Sequence, residues 1–363
     1  MGELDAITAA QTLSEIGYLL RQNPDQKFRA KAFASASWAI AQVRPDLTEL
    51  HETGALATLP GVGEGIARVL TDLIETGRSR YLDHLREETG QRALDDESAI
   101  DLAAYQGDLH SHTEWSDGKT TMLEMAKGAK ERGYRYLGVT DHSPRITVVH
   151  GLNAERLLAQ SREMAEVQKQ VPGLTLLQGI EVDILEDGSL DLPDAVLEIL
   201  DVVIASPHVK LRQDPTAMTQ RMLRAVSHPH VDLIGHPTGR RPGSREGATY
   251  DFERVFREAA AHGVAVEIDC DPARMDLSPE MARLALECGC NFALSSDAHA
   301  PAELDYVPMG AWMARRAGIP QDRILNFNLD ARFGRSGGAA RRPGTPRQTS
   351  SRPPHPPRPA NGA

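Results

Sequence analysis

The spacing of apolar residues divides the chain into stretches of different texture. Over residues 1–90 apolar side chains recur at three- and four-residue intervals. This predicts short helices over 5–21, 27–42, 46–52 and 64–77, punctuated by Pro45 and Pro60. Between 106 and 330 the pattern becomes one of short apolar runs: GDLHSH at 107–112, YRYLGVT at 134–140, LTLLQGI at 174–180, DVVIAS at 201–206, VDLIG at 231–235, VAVEI at 264–268 and NFALSS at 291–296. Stretches of helical spacing separate several of these runs and stop at glycine, 121–132 before Gly133, 251–262 before Gly263 and 279–288 before Gly289. A residue without Cβ supplies the left-handed position past a last helical turn. Ser278 and Pro279 supply an N-cap and a first-turn proline. Repeated strand–helix units predict an α/β domain on a parallel sheet. Seven units fit a closed or distorted barrel or an open doubly wound sheet, and periodicity alone does not choose.

Residues 91–105 (QRALDDESAIDLAAY) read as an acidic linker between the helical domain and the 106–330 domain. Residues 331–363 are rich in Pro, Gly, Ser and Arg with almost no large apolar side chain, and are expected to form a disordered basic tail. Such a segment buries too little to offset its chain entropy.

Composition narrows the class. An apolar share of 40% and a charged share of 25% suit a soluble globular protein. No apolar run reaches the roughly 18 residues of a membrane helix, and no signal pattern opens the chain, so a cytoplasmic protein without a membrane partner is expected. Cys270, Cys288 and Cys290 cannot all pair and form no CxxC, as expected of reduced thiols. The tail carries seven arginines and no acid, so the net charge of −11 understates how acidic the rest of the chain is. An acidic body argues against a broad grip on nucleic acid. Cations held by acidic ligands offset that charge locally.

The candidate chemistry lies at the strand ends. The first run ends in His110-Ser111-His112 with Asp117 five residues on, and alternation puts both imidazoles on one side. Later runs end in or lead to His142, Glu181, His208, His236, and Asp297 with His299. In parallel α/β architectures the C-terminal strand ends converge on one face, where active sites sit. Six imidazoles and three carboxylates would then share one bowl. Packed together without cations they repel one another or remain undersolvated. Imidazole nitrogen and carboxylate oxygen suit Mn²⁺, Zn²⁺ or Fe²⁺ better than Ca²⁺ or Mg²⁺. Nine donors exceed what one ion can use, so two to three divalent ions are expected, and clustered ions point to phosphoester hydrolysis. Any single HxH or Gly-His-Pro is as readily structural; the conjunction carries the reading. Arg274 and Arg240 follow strand ends on the same face and are candidate phosphate ligands. His150, on a nearby loop, is a weaker candidate ligand.

DLHSHTEWSDG, GVTDHS, GIEVDI, GHPTGR, VEID…ARMDL and LSSDAH together resemble the PHP (polymerase and histidinol phosphatase) family, and more narrowly the PHP domain of bacterial family X DNA polymerases. The resemblance covers roughly 106–328. It implies a distorted seven-stranded (β/α)7 barrel and three metal ions. One ion would take His110, His112, Glu181 and Asp297; a second Glu181, His208 and His236; a third Asp117, His142 and His299. Glu181 would bridge. Glu181 and Asp297, together with Arg274 from its strand-end position, are the candidate catalytic residues. All nine ligand positions carry a competent side chain.

Near the N-terminus, LPGVGEGIA at 59–67 reads as a helix–hairpin–helix turn, whose amides at Gly61, Val62, Gly63 and Gly65 are candidates for contact with a DNA backbone. The surrounding stretch resembles the N-terminal helical domain of family X polymerases. Two departures matter. Lyase-competent relatives carry lysines in the helix after the hairpin, where this chain has Gly65 and Val69, so a Schiff-base step lacks its amine. The fifteen residues 91–105 cannot encode a polymerase palm, so no primer extension is expected. With nine basic against thirteen acidic residues in 1–90, DNA contact is expected to be modest. These features predict a metal-dependent phosphoesterase acting on DNA 3′ ends in repair, as a 3′–5′ exonuclease or 3′-phosphatase. The rivals are a small-molecule phosphatase of the histidinol-phosphatase type and a non-catalytic DNA-end binding protein.

Overall fold

Seven parallel strands run side by side in chain order, each paired with the next. The computed structural model describes residues 4–21, 23–89, 100–241 and 245–328. The tail at 331–363 and most of the acidic linker lie outside the described residues. The strands are β1 (Gly107–Asp108), β2 (Tyr136–Val139), β3 (Thr175–Asp183), β4 (Val202–Ser206), β5 (Leu233–Ile234), β6 (Ala265–Asp269) and β7 (Phe292–Ser295). Five helices, α1 (Ala6–Arg21), α2 (Lys27–Val43), α3 (Leu47–Glu52), α4 (Glu64–Thr76) and α5 (Arg80–Glu88), precede them. The crossovers use α6 (Met122–Glu131), α7 (Ala154–Gln170), α8 (Asp194–Leu197), α9 (Pro215–Val226), α10 (Phe252–His262) and α11 (Pro279–Glu287), and α12 (Val307–Ala317) follows β7.

The sheet curls into a nearly closed barrel, which decides between the two architectures that periodicity left open. At the upper rim Ser111 bridges Ala298, the His112 amide donates to the Ala298 carbonyl at 2.8 Å, and the Ser296 amide donates to Asp108 at 3.0 Å. At the lower rim Asn326 fills the seam, accepting from the Leu294 amide and donating to Gly107 O and Tyr105 Oη. Residues 100–105 therefore belong to the barrel, with Tyr105 buried and donating to Leu294 O.

Local signals agree with this path. Thr121 and Glu124 form a reciprocal capping box on α6, and Ser278 caps α11 ahead of Pro279. Helix α5 has only two buried apolar residues, Leu82 and Leu85, too few for the hydrophobic pattern to predict it; its start is set by the Ser79 cap. Strands β1 and β5 are shorter than their apolar runs. His236, just past β5, has a left-handed φ of 23° that ends extended pairing.

A plug of Leu109, Tyr136, Leu177, Val202, Ile204, Leu233, Ala265 and Ala293 fills the lower barrel, drawing on every strand or its end. Two residues further along, period-two alternation returns the same face of the strand upward. Thus Leu177 leads through Gly179 to Glu181, Ala265 to Glu267 and Asp269, and Ala293 through Ser295 to Asp297. The apolar floor and the polar bowl are successive layers of one strand face.

The helical region docks directly on the barrel. Glu15, buried on α1, accepts from Arg86 on α5 at 2.9 and 2.8 Å and from Arg316 on α12 at 2.5 Å. Tyr18 packs edge-on against Trp312 and donates to Glu280. Gln42 donates to Glu303 at 2.9 Å, and Arg44 pairs with Asp305, which Arg132 also holds at 2.6 Å on each oxygen.

Two predictions follow from this seam. Glu15→Ala leaves two guanidinium groups without their buried partner and should lower stability by about 3 kcal/mol, read from urea unfolding. Burial raises the pKa of Asp305, but Arg132, then Arg44, outweigh it and hold the carboxyl below its ordinary 3.8. A carboxyl depressed on folding adds stability above its unfolded pKa and loses it as pH falls through the folded value. Wild type should therefore exceed Asp305→Asn in stability at neutral pH, and the gap should close below pH 3.8 in an acid titration followed by circular dichroism.

Candidate metal centre

All nine predicted ligands meet in the bowl at the C-terminal strand ends. His110 and His112 follow β1, His142 follows β2, and Glu181 lies in β3. His208 and His236 follow β4 and β5, and Asp297 and His299 follow β7. Asp117 returns to the bowl because the chain folds back tightly: a Cβ on Gly118 would lie 2.5 Å from the Thr113 backbone.

Glu181 is the centre of the arrangement and is fully buried. Its Oε2 lies 3.5 Å from His110 Nε2, 3.6 Å from His112 Nε2 and 2.9 Å from His142 Nδ1. Its Oε1 lies 3.1 Å from His208 Nε2 and 2.7 Å from His236 Nε2. Asp297 Oδ1 lies 3.7 and 3.0 Å from the same nitrogens of His110 and His112. Beside them Asp117 Oδ1 is 3.6 Å from His142 Nε2 and 3.4 Å from His299 Nε2. The groupings of compact donor sets are His110, His112 and Asp297; His142, Glu181 and His208; and His112, Asp117, His142 and His299. All three differ from the family-based sets: the first lacks Glu181, the second has His142 in place of His236, and the third gains His112. His142 stands between two groups and turns one ring nitrogen to Glu181 and the other to Asp117.

The donors fit cations. Ligands about 2.0–2.1 Å from a tetrahedral ion stand about 3.3 Å from one another, within the range of the distances above. His110 Nε2, both nitrogens of His112 and His236, His208 Nε2 and both oxygens of Glu181 are buried without a hydrogen-bond partner. Buried polar atoms are almost always satisfied. Orphans gathered about common points are what ion binding would satisfy.

Carboxylates surround the bowl, and two of them orient imidazoles. Glu267 Oε1 lies 2.7 Å from His110 Nδ1, and its Oε2 accepts from the His236 amide at 2.6 Å. Asp183 holds His208 Nδ1 at 3.1 Å. Asp141 accepts from Thr113, Ser116 and Gln160, fixing the β1 and β2 ends to each other. Sequence reasoning assigned no role to these three; Asp141 and Asp183 lie one or two residues from a predicted ligand, while Glu267 lies on β6, which carries none, and only assembled geometry gives each its partner.

The close packing of these donors shifts their titration in opposite directions. Burial raises the pKa of Glu181, but His208, His142, His110 and His236 outweigh it and hold the carboxyl well below its usual range. Burial, then His299 and His142, lowers His112 to about 3. Burial lowers His208, but Glu181 and Asp183 reverse this and raise it to about 10. Asp297 has a left-handed φ of 51°, a strained conformation that the site enforces.

Comparison with known proteins agrees with this geometry. Residues 108–270 match the PHP domain model and residues 8–79 a helix-hairpin-helix domain model. A probable phosphatase of Thermoanaerobacter sp. (strain X514) is 30% identical over 234 residues, covering 61% of this chain and 90% of that protein. The chain belongs to the PHP family.

The DNA polymerase/3′-5′ exonuclease PolX of Bacillus subtilis (strain 168) is 36% identical over 281 residues, 77% of this chain. The chain spans about half of that relative, 48% of its length. A histidinol phosphate phosphatase from Lactococcus lactis, solved with zinc, L-histidinol and phosphate, has a TM-score of 0.41 at 14% identity, over 58% of this chain and 94% of that one. The present chain is a PHP phosphoesterase with buried His, Asp and Glu clusters. No helix among its described residues is long and apolar enough to cross a membrane.

A cavity of about 760 Å³ lies above the PHP bowl, and Asp117, His142, His208, Asp297 and His299 form its floor. Arg274 also lines it. Its Nε lies 3.1 Å from Asp297 and 3.3 Å from Asp269, while Nη1 is buried without a partner. Arg240 does not reach the cavity: it turns aside to donate to the Met275 carbonyl. Arg241 and Arg245, from the same loop, line it instead, as does Lys119. His150 is exposed and joins no donor set. One wall comes from the helical region, through Lys31, Trp38 and Gln42 of α2 and through Pro60 and Gly61.

In the hairpin, Gly61 holds a φ of 77° against the α2 backbone, which glycine alone adopts without strain. Gly63 and Gly65 are exposed with open space around them. Val62 differs from its predicted role: its side chain is buried and its amide donates to Leu59 O, so it anchors the turn and has no amide free for phosphate.

Glu267→Gln keeps the size of the side chain but weakens the carboxylate that orients His110, and should reduce metal affinity about 10- to 100-fold, measured by chelator competition. Glu181→Gln should do more, removing at least one equivalent outright by elemental analysis, since both its oxygens face donor sets.

Proposed function

We propose that this chain hydrolyses phosphoester bonds at DNA 3′ ends, as a 3′–5′ exonuclease or 3′-phosphatase in repair. One observation carries the reading: the cavity over the ligand bowl has a PHP floor and a helix-hairpin-helix wall, so a substrate reaching the ligands touches both. His110, His112, Glu181 and Asp297 would hold one ion, Glu181, His208 and His236 a second, and Asp117, His142 and His299 a third. Mn²⁺, Zn²⁺ or Fe²⁺ bound there supplies an acidified water and neutralises charge on the phosphoryl oxygens. Arg274 has its Nη1 donor free, and its Nε side faces Asp297 and Asp269, which fix its orientation. It binds a phosphoryl oxygen and offsets charge that develops during in-line displacement. Lys119, Arg241 and Arg245 draw further phosphates to the rim. The exposed glycines Gly61, Gly63 and Gly65 let a DNA backbone approach the start of α4.

A small-molecule phosphatase of the histidinol-phosphatase type is the competing reading. The probable phosphatase relatives, aligned over most of their length, favour it. Mn²⁺-loaded protein tested on 3′-labelled DNA, 3′-phosphate DNA and histidinol phosphate separates the two. Activity on DNA should fall steeply between about 50 and 200 mM salt, while activity on the small monoester changes far less. Histidinol phosphate turned over orders of magnitude faster, with no salt effect on either substrate, replaces the repair reading by the small-molecule one.

A further inference from the structure

Helix α2 carries a surface that the fold does not use. Phe28, Lys31, Ser35, Trp38 and Gln42 follow one another at intervals of three and four, the spacing of one helix face. At the inner end Gln42 donates to Glu303, whose other oxygen accepts from the amide of the ligand His299. Trp38, Ser35 and Lys31 line the same cavity as the PHP ligands. At the outer end stands Phe28, 85% exposed; Trp38 is 45% exposed. Among the described residues these are the only exposed Phe, Tyr or Trp side chains, and both lie on this stripe. Ten residues of helix separate them, about 15 Å. That is about four bases at 3.4 Å per stacked nucleotide.

Flat apolar faces interleaved with cations, leading to a phosphoester-cleaving bowl, match one class of ligand. Bases of an unpaired strand stack on such side chains, and the phosphates between them meet the cations. Lys31 on the stripe and Lys119, Arg241 and Arg245 across the cavity supply positive charge in an otherwise acidic body. Paired bases offer no free face to either ring.

We infer that the Phe28–Trp38 stripe of α2 is a track for single-stranded nucleic acid, with Trp38 stacking on a base next to the scissile phosphate and Phe28 on one further back. This rests on the proposed nucleic-acid substrate and adds its form, an unpaired 3′ tail. The track adjoins the hairpin at Gly61, which lines the same cavity, and adds side-chain stacking to the backbone approach that the glycines allow.

The test uses the full chain loaded with Mn²⁺ on single-stranded oligonucleotides of two to eight nucleotides, a blunt duplex and a small aliphatic phosphomonoester. Trp38→Ala should lower kcat/KM on oligonucleotides, relative to that on the monoester, by about tenfold through KM, and Trp38→Phe should restore most of it. Phe28→Ala should matter only beyond about four nucleotides, and wild type should prefer single strand to blunt duplex. Equal loss at all lengths in Phe28→Ala, or no change in either alanine variant while wild type degrades oligonucleotides, overturns the track and leaves the proposed function standing. Wild type that hydrolyses the monoester but no nucleic acid overturns both.

Discussion

The carboxylate of Glu181, buried among five imidazoles, is the constraint around which the bowl is organised. A charged group so far from water is tolerated only when partners replace its hydration. Here one oxygen faces His110, His112 and His142, and the other faces His208 and His236. Those partners come from four other strand ends, so the barrel must curl to bring them within reach. An open sheet would spread the same residues along a line. Closure of the barrel and assembly of the donor set are one event, and the apolar plug beneath supplies the driving force through burial.

Around that centre, charge is layered. Glu267 and Asp183 hold the outer nitrogens of His110 and His208, which fixes the nitrogens that face inward. Asp141 performs no such duty although it adjoins His142; its hydrogen bonds to Thr113, Ser116 and Gln160 make it a tie between loops. Adjacent carboxylates therefore do different jobs, set by which donors surround each.

The helical region is part of the site's architecture. Its α1 face is clamped to the barrel through Glu15, Arg86 and Arg316, and the end of α2 is fixed beside His299 of the donor bowl through Gln42 and Glu303. An independent, tethered binding module would not share a cavity wall with the ligands. Here the cavity over the bowl is bounded by both regions at once.

Much of this was legible in the sequence because it is local. Period-two and helical spacings, the Ser278-Pro279 cap and the glycine stops follow from backbone sterics within a few residues. The donors His110, His112, His142 and Asp297 stand out because polar, ligand-type residues directly after apolar runs have few structural uses. Arg240 and Arg241 show the limit: adjacent in sequence, they diverge because one finds the Met275 carbonyl and the other faces the cavity. Val62 likewise reads as part of a glycine-rich turn, yet packs inward. Which imidazole nitrogen faces inward, which carboxylate orients which ring, and that Trp38 overlooks the bowl were decided by tertiary structure alone. These depend on contacts between residues tens to hundreds of positions apart, and no spacing along the chain encodes the rotation of a side chain about its own bonds or the docking of one region on another.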